Sequence, residues 1–321
     1  MSNSLLFDQT EVPTFIGKAL NYTTANLVLT AIGICITYFF AIPMIAPLWS
    51  FGAAIVLSFL ITYLAKKDPT AENNNSLRLA VFGLFIWLGY ALSPYIFSFI
   101  FFIPNGPMLV IGAAITTAFI SLTTALYARY AIETGQADKY ILMRPLLMNV
   151  ILGLIVVGLL NGFLHMPLLM LLEGLAGACV FTLFLLSDIL VVAAVNNQSG
   201  GDMNEALEER MAILCGANIA LDITNIFVSL LEIADALGDN NNRHSIGQSI
   251  SNLVMTLVGP LLMLGVVFGI NDWFFKEKQT VGGTYRATPA TAQELAGDQK
   301  PSFIAWCFGS SPQANTNTFA L

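Results

Sequence analysis

Residues 211–233, MAILCGANIALDITNIFVSLLEI, decide the fold class of this chain. The segment is mainly apolar, contains no proline, and reaches the length of about 20 residues that an α-helix needs to cross the hydrocarbon core of a bilayer. A second apolar segment, LLMLLEGLAGACVFTLFLLSDILVVA at residues 168–193, precedes it along the chain. The two segments predict consecutive transmembrane helices.

The whole chain shares this apolar character. Of its 321 residues, 56% are hydrophobic and only 10% are charged, and the mean hydropathy is +0.73. These values exceed the apolar share of an ordinary soluble domain, and the apolar runs lack the alternation of membrane β-barrel strands. The sequence therefore predicts an all-α, polytopic membrane helix bundle. The predicted spans are 27–46, 48–65, 79–102, 108–128, 146–164, 168–193, 211–233 and 250–274.

These spans divide the chain into four parts. A cytoplasmic segment at residues 1–25 precedes a seven-helix transmembrane bundle at residues 26–235. An outer loop and an additional, eighth transmembrane helix occupy residues 236–275. Residues 276–321 form a cytoplasmic tail rich in Gly, Thr, Ala and Gln, a composition that predicts disorder.

The distribution of basic residues predicts the orientation. With a cytoplasmic N-terminus, twelve of the thirteen Lys and Arg residues fall on the cytoplasmic side, and only Arg243 falls outside. This asymmetry follows the positive-inside rule and places both termini in the cytoplasm. Neither a cleavable signal peptide nor a eukaryotic sorting signal is predicted, which favours a bacterial inner membrane over the endoplasmic reticulum. The net charge of −7, without a basic patch, argues against a nucleic-acid partner.

Asp188 and Asp222 are the strongest indication of function, because each lies deep within a predicted span. A charged side chain near the centre of a transmembrane helix costs ~2.5 to 3.5 kcal/mol on insertion scales, so such residues usually pair, line a water path or bind a cation. At ~1.5 Å of rise per residue, the two aspartates lie at similar depths in the cytoplasmic half of the bundle. Because their spans are consecutive, the sequence predicts that the two carboxyl groups meet.

Two carboxyl groups in contact cannot both carry a charge without a large cost, so they can share a single proton. The pair is therefore predicted to act as pH sensor and gate. A shared proton ties span six to span seven, and its loss lets the carboxylates separate or bind a divalent cation. Calcium prefers six to eight oxygen ligands, and two aspartates fall short of that number. Asp188 and Asp222 are thus predicted to bind calcium only weakly or transiently.

Span seven also carries a polar stripe. Residues spaced alternately four and three apart share one helix face. In span seven this face consists of Met211, Cys215, Asn218, Asp222, Asn225, Ser229 and Glu232. A polar face cannot point toward lipid tails, so the stripe is predicted to face the bundle interior. The predicted polar path for ions consists of Asn218, Asn225, Ser229 and Glu232, with Glu173 of span six. For Asn218 and Ser229, hydrogen bonding between helices is the simpler alternative.

Several of these segments resemble the Bax inhibitor family, the transmembrane Bax-inhibitor-motif proteins. The resemblance rests on LLSDI at residues 185–189 and ALDITNIFVSLLE at residues 220–232, which are similar to the aspartate segments of the family's sixth and seventh spans. Weaker similarities are LGYALSPYI at residues 88–96 and LLNGFLHMP at residues 159–167. Together the similar segments fall within residues 14–235.

The resemblance implies a pH-sensitive, calcium-permeable leak channel whose sensor is Asp188 and Asp222, with Asn225 as a further functional residue. In eukaryotic members it also implies a protective role in the cell's stress response. Three features depart from the family. Some bacterial members have a glutamate in span two, where this chain reads WSFGAAIVLSF, and an arginine where it has Glu232. The eighth span and the tail are additions. These departures concern the pore lining and the gating partner, whereas the aspartate pair is retained.

Other functions find little support in the residues. His165 and His244 fall in outer loops outside any metal-ligand spacing, and no nucleophile motif is present, so neither an enzyme nor a resident cofactor is predicted. Two alternatives to the leak stay open. One is a proton-coupled transporter, and the other is a non-conducting regulator that binds another membrane protein, such as a quality-control protease. The predicted partners are the lipid bilayer, calcium and protons, and for the regulator a second membrane protein.

Overall fold

The computed structural model describes residues 15–39, 47–66, 74–103, 105–164, 166–198 and 205–238. In these segments the chain is helical and contains no β-strand, so the predicted all-α membrane bundle is confirmed. The predicted eighth span, the outer loop from residue 239 onward and the tail lie outside the described residues, as do residues 1–14 and both histidines.

Eight helices make up the described part of the chain. They are α1 (Phe15–Phe39), α2 (Pro47–Lys66), α3 (Asn75–Phe102), α4 (Gly106–Glu133), α5 (Ala137–Leu142), α6 (Arg144–Leu164), α7 (Pro167–Gln198) and α8 (Glu205–Gly238). The seven long helices correspond in order to predicted spans one to seven, and α5 is a short additional helix. Among the described helices, α1, α3, α4, α7 and α8 are long and apolar enough to cross a membrane, while α2 and α6 contain shorter apolar stretches. The chain is therefore an integral, multi-pass membrane protein.

The first helix extends further toward the N-terminus than hydropathy predicts. It begins at Phe15 rather than at residue 27, and its first turns contain the polar side chain of Lys18. Lys18 Nζ lies 3.0 Å from Glu208 Oε1, and the Tyr22 hydroxyl donates a hydrogen bond of 3.0 Å to Glu209 Oε1. These contacts with α8 stabilise the extension of α1, because they give its polar side chains partners outside the apolar core.

A tight turn joins α3 to α4, as the sequence IPNGP at residues 103–107 suggests. Asn105 adopts a left-handed conformation with φ 60°, and Pro107 occupies the first turn of α4, where its missing N–H costs nothing. A Cβ on Gly106 would overlap the backbone oxygen of Phe99, so the close return of the chain requires glycine.

The bundle is organised around α8. This helix makes its most extensive contact with α7 and also packs closely against α1. Ile213 and Ala220, which point away from the polar stripe, are 0% exposed. The face opposite the polar stripe therefore also packs against other helices, and α8 is enclosed.

Glycines permit the closest approaches between α1 and its neighbours. Gly33 of α1 and Gly89 of α3 face each other, and a Cβ on either would overlap the backbone of the other helix. A Cβ on Gly216 of α8 would lie 2.7 Å from the backbone oxygen of Ala19 in α1. Small residues allow such contacts between membrane helices. Gly216 thus lets α8 approach α1 within two turns of Asp222.

Candidate functional site

Arg144, Asp188 and Asp222 form a buried charged cluster, which we call the buried triad. Arg144 is the first residue of α6, whereas Asp188 belongs to α7 and Asp222 to α8. Arg144 Nη2 lies 2.6 Å from Asp188 Oδ1, and Asp222 lies on α8, the helix that packs most extensively against α7. Asp222 is 0% exposed and Asp188 is 3% exposed. Three helices thus bring three charged side chains together inside the bundle.

The local sequence explains how these helices meet. Pro145 follows Arg144, and proline is favoured in the first turn of a helix, so α6 begins at the point from which a long arginine side chain reaches inward. Gly177 of α7 lies against α8, where a Cβ would be 2.6 Å from Ser229 Oγ. This close packing of α7 on α8 brings Asp188 to the level of Asn218, one turn before Asp222.

The triad oxygens are incompletely hydrogen-bonded. Apart from the ion pair with Arg144, neither carboxylate oxygen of Asp188 has a hydrogen-bond donor in the described part of the chain. Neither carboxylate oxygen of Asp222 has a hydrogen-bond donor in the described part of the chain. Because a buried charge is costly unless it is paired and hydrogen-bonded, these oxygens offer a favourable place for a proton or a cation.

The charge balance gives the triad two possible states. When all three groups are charged, one arginine faces two carboxylates and the net charge is −1. A proton on one of the aspartates, or a bound cation, would remove this excess charge. The arrangement can therefore alternate between a neutral form and a negatively charged form in an interior with little water to screen it.

The structure places Asp188 and Asp222 on α7 and α8, which pack against each other, and it gives Asp188 an ion-pair partner in Arg144. Sharing of one proton between the aspartates stays a prediction. The sequence pattern indicated Arg144 only as a basic residue on the cytoplasmic side. The available signal was its position two residues before span five, from which an arginine can reach into the bundle along its aliphatic stem.

All residues of the predicted polar path are buried. On α8, Asn218, Asn225, Ser229 and Glu232 are at most 6% exposed, and Glu173 of α7 is 5% exposed. The stripe therefore faces the interior of the bundle, as its spacing predicts. Its use as a route for ions stays a prediction.

The described segments contain no group of three His, Cys, Asp or Glu side chains that could hold a metal ion. Asp188 and Asp222 supply only two carboxylates, so calcium at this pair remains a prediction of weak or transient binding.

Acidic residues anchor the N-terminal end of α8 to two neighbouring helices. Glu208 pairs with Lys18 of α1, and Glu209 Oε1 lies 3.1 Å from Arg78 Nη2 of α3. Glu205, by contrast, is exposed. The two ion pairs fix one end of the helix that carries Asp222.

Residues 12–242 match the model of one protein family, described as Bax1-I, inhibitor of apoptosis-promoting Bax1. The matched range contains all eight described helices and the whole buried triad. No curated protein matches the chain significantly.

Proposed function

The chain belongs to the Bax inhibitor family, and on that premise we propose that it is a pH-sensitive leak channel for cations, calcium among them. Asp188 and Asp222 are the pH sensor and gate. The observation that carries this proposal is the buried triad, in which the ion pair of Arg144 with Asp188 and a further carboxylate, Asp222 on the neighbouring helix, are buried inside a membrane protein. Ionisable groups in such positions are expensive, and function is the usual reason for retaining them.

In the closed state, one proton resides on the aspartate pair. Arg144 then balances the single remaining negative charge, and the triad is neutral. Buried apolar side chains of α7 and α8, including Phe184 and Ile226, keep this part of the interior dry. This interior contains neither an uncompensated negative charge nor water that could replace the hydration shell of a cation. A hydrated cation therefore does not enter.

In the open state, that proton has left. One negative charge in the triad is then uncompensated, and the cost of burying it falls if water or a cation enters, or if α7 and α8 separate. The closed state binds the proton and the open state has lost it, so the proton concentration sets the balance between them. A higher pH favours the open state. The leak therefore increases as the pH rises.

A route for the cation continues from the triad along α8 through Asn225, Ser229 and Glu232. At ~1.5 Å per residue, Glu232 lies about 15 Å along the helix from Asp222. Glu173 of α7 belongs to the far end of this route, since the adjacent Gly174 lies against Ser229 of α8. Polar side chains thus recur at every turn between the two acidic ends.

Calcium flux into liposomes that contain the purified protein tests the leak. We expect the flux of the wild type to rise from mildly acidic to mildly alkaline pH, and Asp188→Asn and Asp222→Asn to flatten this pH dependence. Glu133→Gln is a matched control, because Glu133 is an exposed acid at the end of α4 that pairs with Arg129. An unchanged pH profile in both aspartate variants would refute the sensor.

The same measurement separates the leak from its two alternatives. A flux that requires a proton gradient and saturates with calcium would identify a proton-coupled transporter. Complete absence of flux from folded protein at every pH would favour a non-conducting regulator of another membrane protein.

We also propose that both termini are cytoplasmic and that the membrane is a bacterial inner membrane, with the endoplasmic reticulum as the alternative. Lys18, Arg78 and Arg144 stand near the starts of α1, α3 and α6, and Arg129 stands near the end of α4. In a bundle of alternating helices these positions share one side, and basic residues favour the cytoplasmic side.

A further inference from the structure

Two buried polar side chains join the start of α8 to the corner between α2 and α3. Arg210, in the second turn of α8, is 4% exposed, and Asn74, the residue immediately before α3, is 3% exposed. Arg210 Nε donates a hydrogen bond of 3.1 Å to Asn74 Oδ1, and Arg210 Nη1 donates one of 3.5 Å to the backbone oxygen of Ala65. Ala65 belongs to the last turn of α2. We call Asn74, Arg210 and the Ala65 carbonyl the α8 clasp.

Asn74 contacts α8 through both ends of its side-chain amide. Besides accepting from Arg210, it donates a hydrogen bond from Nδ2 to the backbone oxygen of Ala206, one turn earlier on α8. Asn74 also occupies the N-cap position of α3, where asparagine usually accepts a hydrogen bond from a backbone N–H of the first turn. Its side chain makes no such capping bond. The amide therefore holds α8 and does not cap α3.

The guanidinium of Arg210 suits the end of α2. The last carbonyl groups of a helix lack partners within the helix and carry partial negative charge, so a cation is favoured there. A guanidinium is planar and presents its donors in a fixed fork, which lets it serve Ala65 and Asn74 at the same time. A lysine ammonium, as a point charge on a flexible stem, does not reproduce this geometry.

The clasp is better shielded from water than the ion pairs beside it. Lys18 and Glu208 have side-chain exposures of 18% and 22%, and Arg78 and Glu209 have exposures of 38% and 32%. Water and salt screen exposed ion pairs, which therefore contribute little, whereas hydrogen bonds from a buried charged group are among the stronger ones. The clasp is therefore the main polar attachment of the start of α8 to α2 and α3.

Asp222 lies further along the same helix. At ~1.5 Å of rise per residue, it is about 18 Å from Arg210 along α8, which contains no proline to kink it. Ser229, two turns after Asp222 on the polar stripe, lies against Gly177 of α7, so the face that carries Asp222 packs on α7. A shift or rotation of the first turns of α8 is therefore transmitted to Asp222 and changes its position relative to Asp188.

We propose that Asn74 and Arg210 are positioning residues for Asp222. They hold the first turns of α8 on α2 and α3, and through the continuous helix they keep Asp222 facing α7 in the closed state. The effect on the leak rests on the proposed function, whereas the holding of α8 does not.

Spin labels on the full-length protein test the holding of α8. Ser76→Cys in α3 and Glu205→Cys in α8 are both exposed, and they are introduced into a variant that lacks the native cysteines. Electron paramagnetic resonance should give a narrow distribution of distances between the two labels. Asn74→Ala and Arg210→Lys should each broaden this distribution. Their combination should add little, because each removes the same contact.

Calcium flux in liposomes tests the effect on Asp222. At mildly acidic pH, where the wild type is closed, Asn74→Ala and Arg210→Lys should raise the flux about tenfold, as expected from losing a hydrogen bond to a charged group. Arg210→Lys keeps the charge and the helix, so altered flux from this folded variant separates positioning from a general loss of stability. Arg129→Gln, which breaks an exposed pair, should leave both the flux and the label distances unchanged.

The two measurements fail in different ways. Unchanged label distances in both Asn74→Ala and Arg210→Lys would overturn the proposal without affecting the leak. Broadened distances with an unchanged pH profile of the flux would show that the clasp does not position Asp222, which overturns it as well. Absence of flux from the wild type at every pH, with distances that broaden in the variants, would reject the leak and retain the clasp as the attachment of α8.

Discussion

Arg144 and Asp188 form an ion pair that is almost fully shielded from solvent, with side-chain exposures of 8% and 3%. Desolvation offsets much of the attraction in such a pair, but removing one partner leaves a buried charge behind, which is strongly destabilising. The pair connects the first residue of α6 to α7, beside the helix that carries Asp222. It therefore couples the position of α6 to the charge state of the triad.

We expect Arg144→Gln to lower the free energy of unfolding by about 3–5 kcal/mol at neutral pH, the range for a buried pair broken on one side. The loss should shrink at acidic pH, because a protonated Asp188 needs no counter-charge. Unfolding of the purified protein in detergent, followed across the pH range, measures both effects.

Two further variants control this experiment. Arg144→Gln combined with Asp188→Asn should recover much of the lost stability, because no charge of the pair then remains buried. Arg129→Gln breaks an ion pair whose side chains are 80% and 61% exposed, and it should have no measurable effect. Wild-type stability of Arg144→Gln at every pH would contradict the importance of the pair.

The packing of α7 on α8 can be tested at Gly174. A Cβ at this position would lie 2.9 Å from the backbone oxygen of Ser229, which cannot move unless α8 shifts. Gly174→Ala should therefore destabilise the protein by about 1–3 kcal/mol, the usual cost of overpacking. Unfolding in detergent gives this value directly.

The matched control is Gly153→Ala in α6, where an added Cβ would meet nothing within 4 Å. Because alanine favours helix more than glycine does, this variant should be as stable as the wild type or slightly more stable. Equal losses in the two variants would show that Gly174 has no special role at the interface.

The predicted orientation can be tested with single cysteines in a variant that lacks the native ones. Pro107→Cys lies at the start of α4 and Glu133→Cys at its end, and both positions are exposed. A membrane-impermeant maleimide added to intact cells should label Pro107→Cys and spare Glu133→Cys. The reverse pattern would invert the topology, and labelling of both after lysis confirms that each site is reactive.

The order and type of the helices could be predicted because long apolar runs dominate this sequence. The spacing of Asn218, Asp222 and Asn225 was enough to predict which face of α8 turns toward the interior of the bundle. The early start of α1 was not predictable from hydropathy. Lys18 and Tyr22 find their partners on α8, nearly 190 residues away in the sequence, as the Tyr22 and Glu209 separation of 187 shows. Contacts of that separation leave no local pattern.

The same limitation applied to the candidate site. Two aspartates within apolar spans indicate a buried acidic pair from sequence alone, since their type and depth are visible there. The contribution of Arg144 depends on the direction of its side chain and on how close α6 comes to α7. This proximity is not encoded in the spacing within one helix.

The enclosed position of α8 has a consequence for how the protein is made. Among the described helices α8 is synthesised last, yet it packs against α1, α3, α4 and α7. The earlier helices enter the bilayer before it, so they cannot complete their packing until α8 has left the ribosome. The surfaces of α1, α3, α4 and α7 that contact α8 therefore stay without this partner during translation until the final described helix arrives.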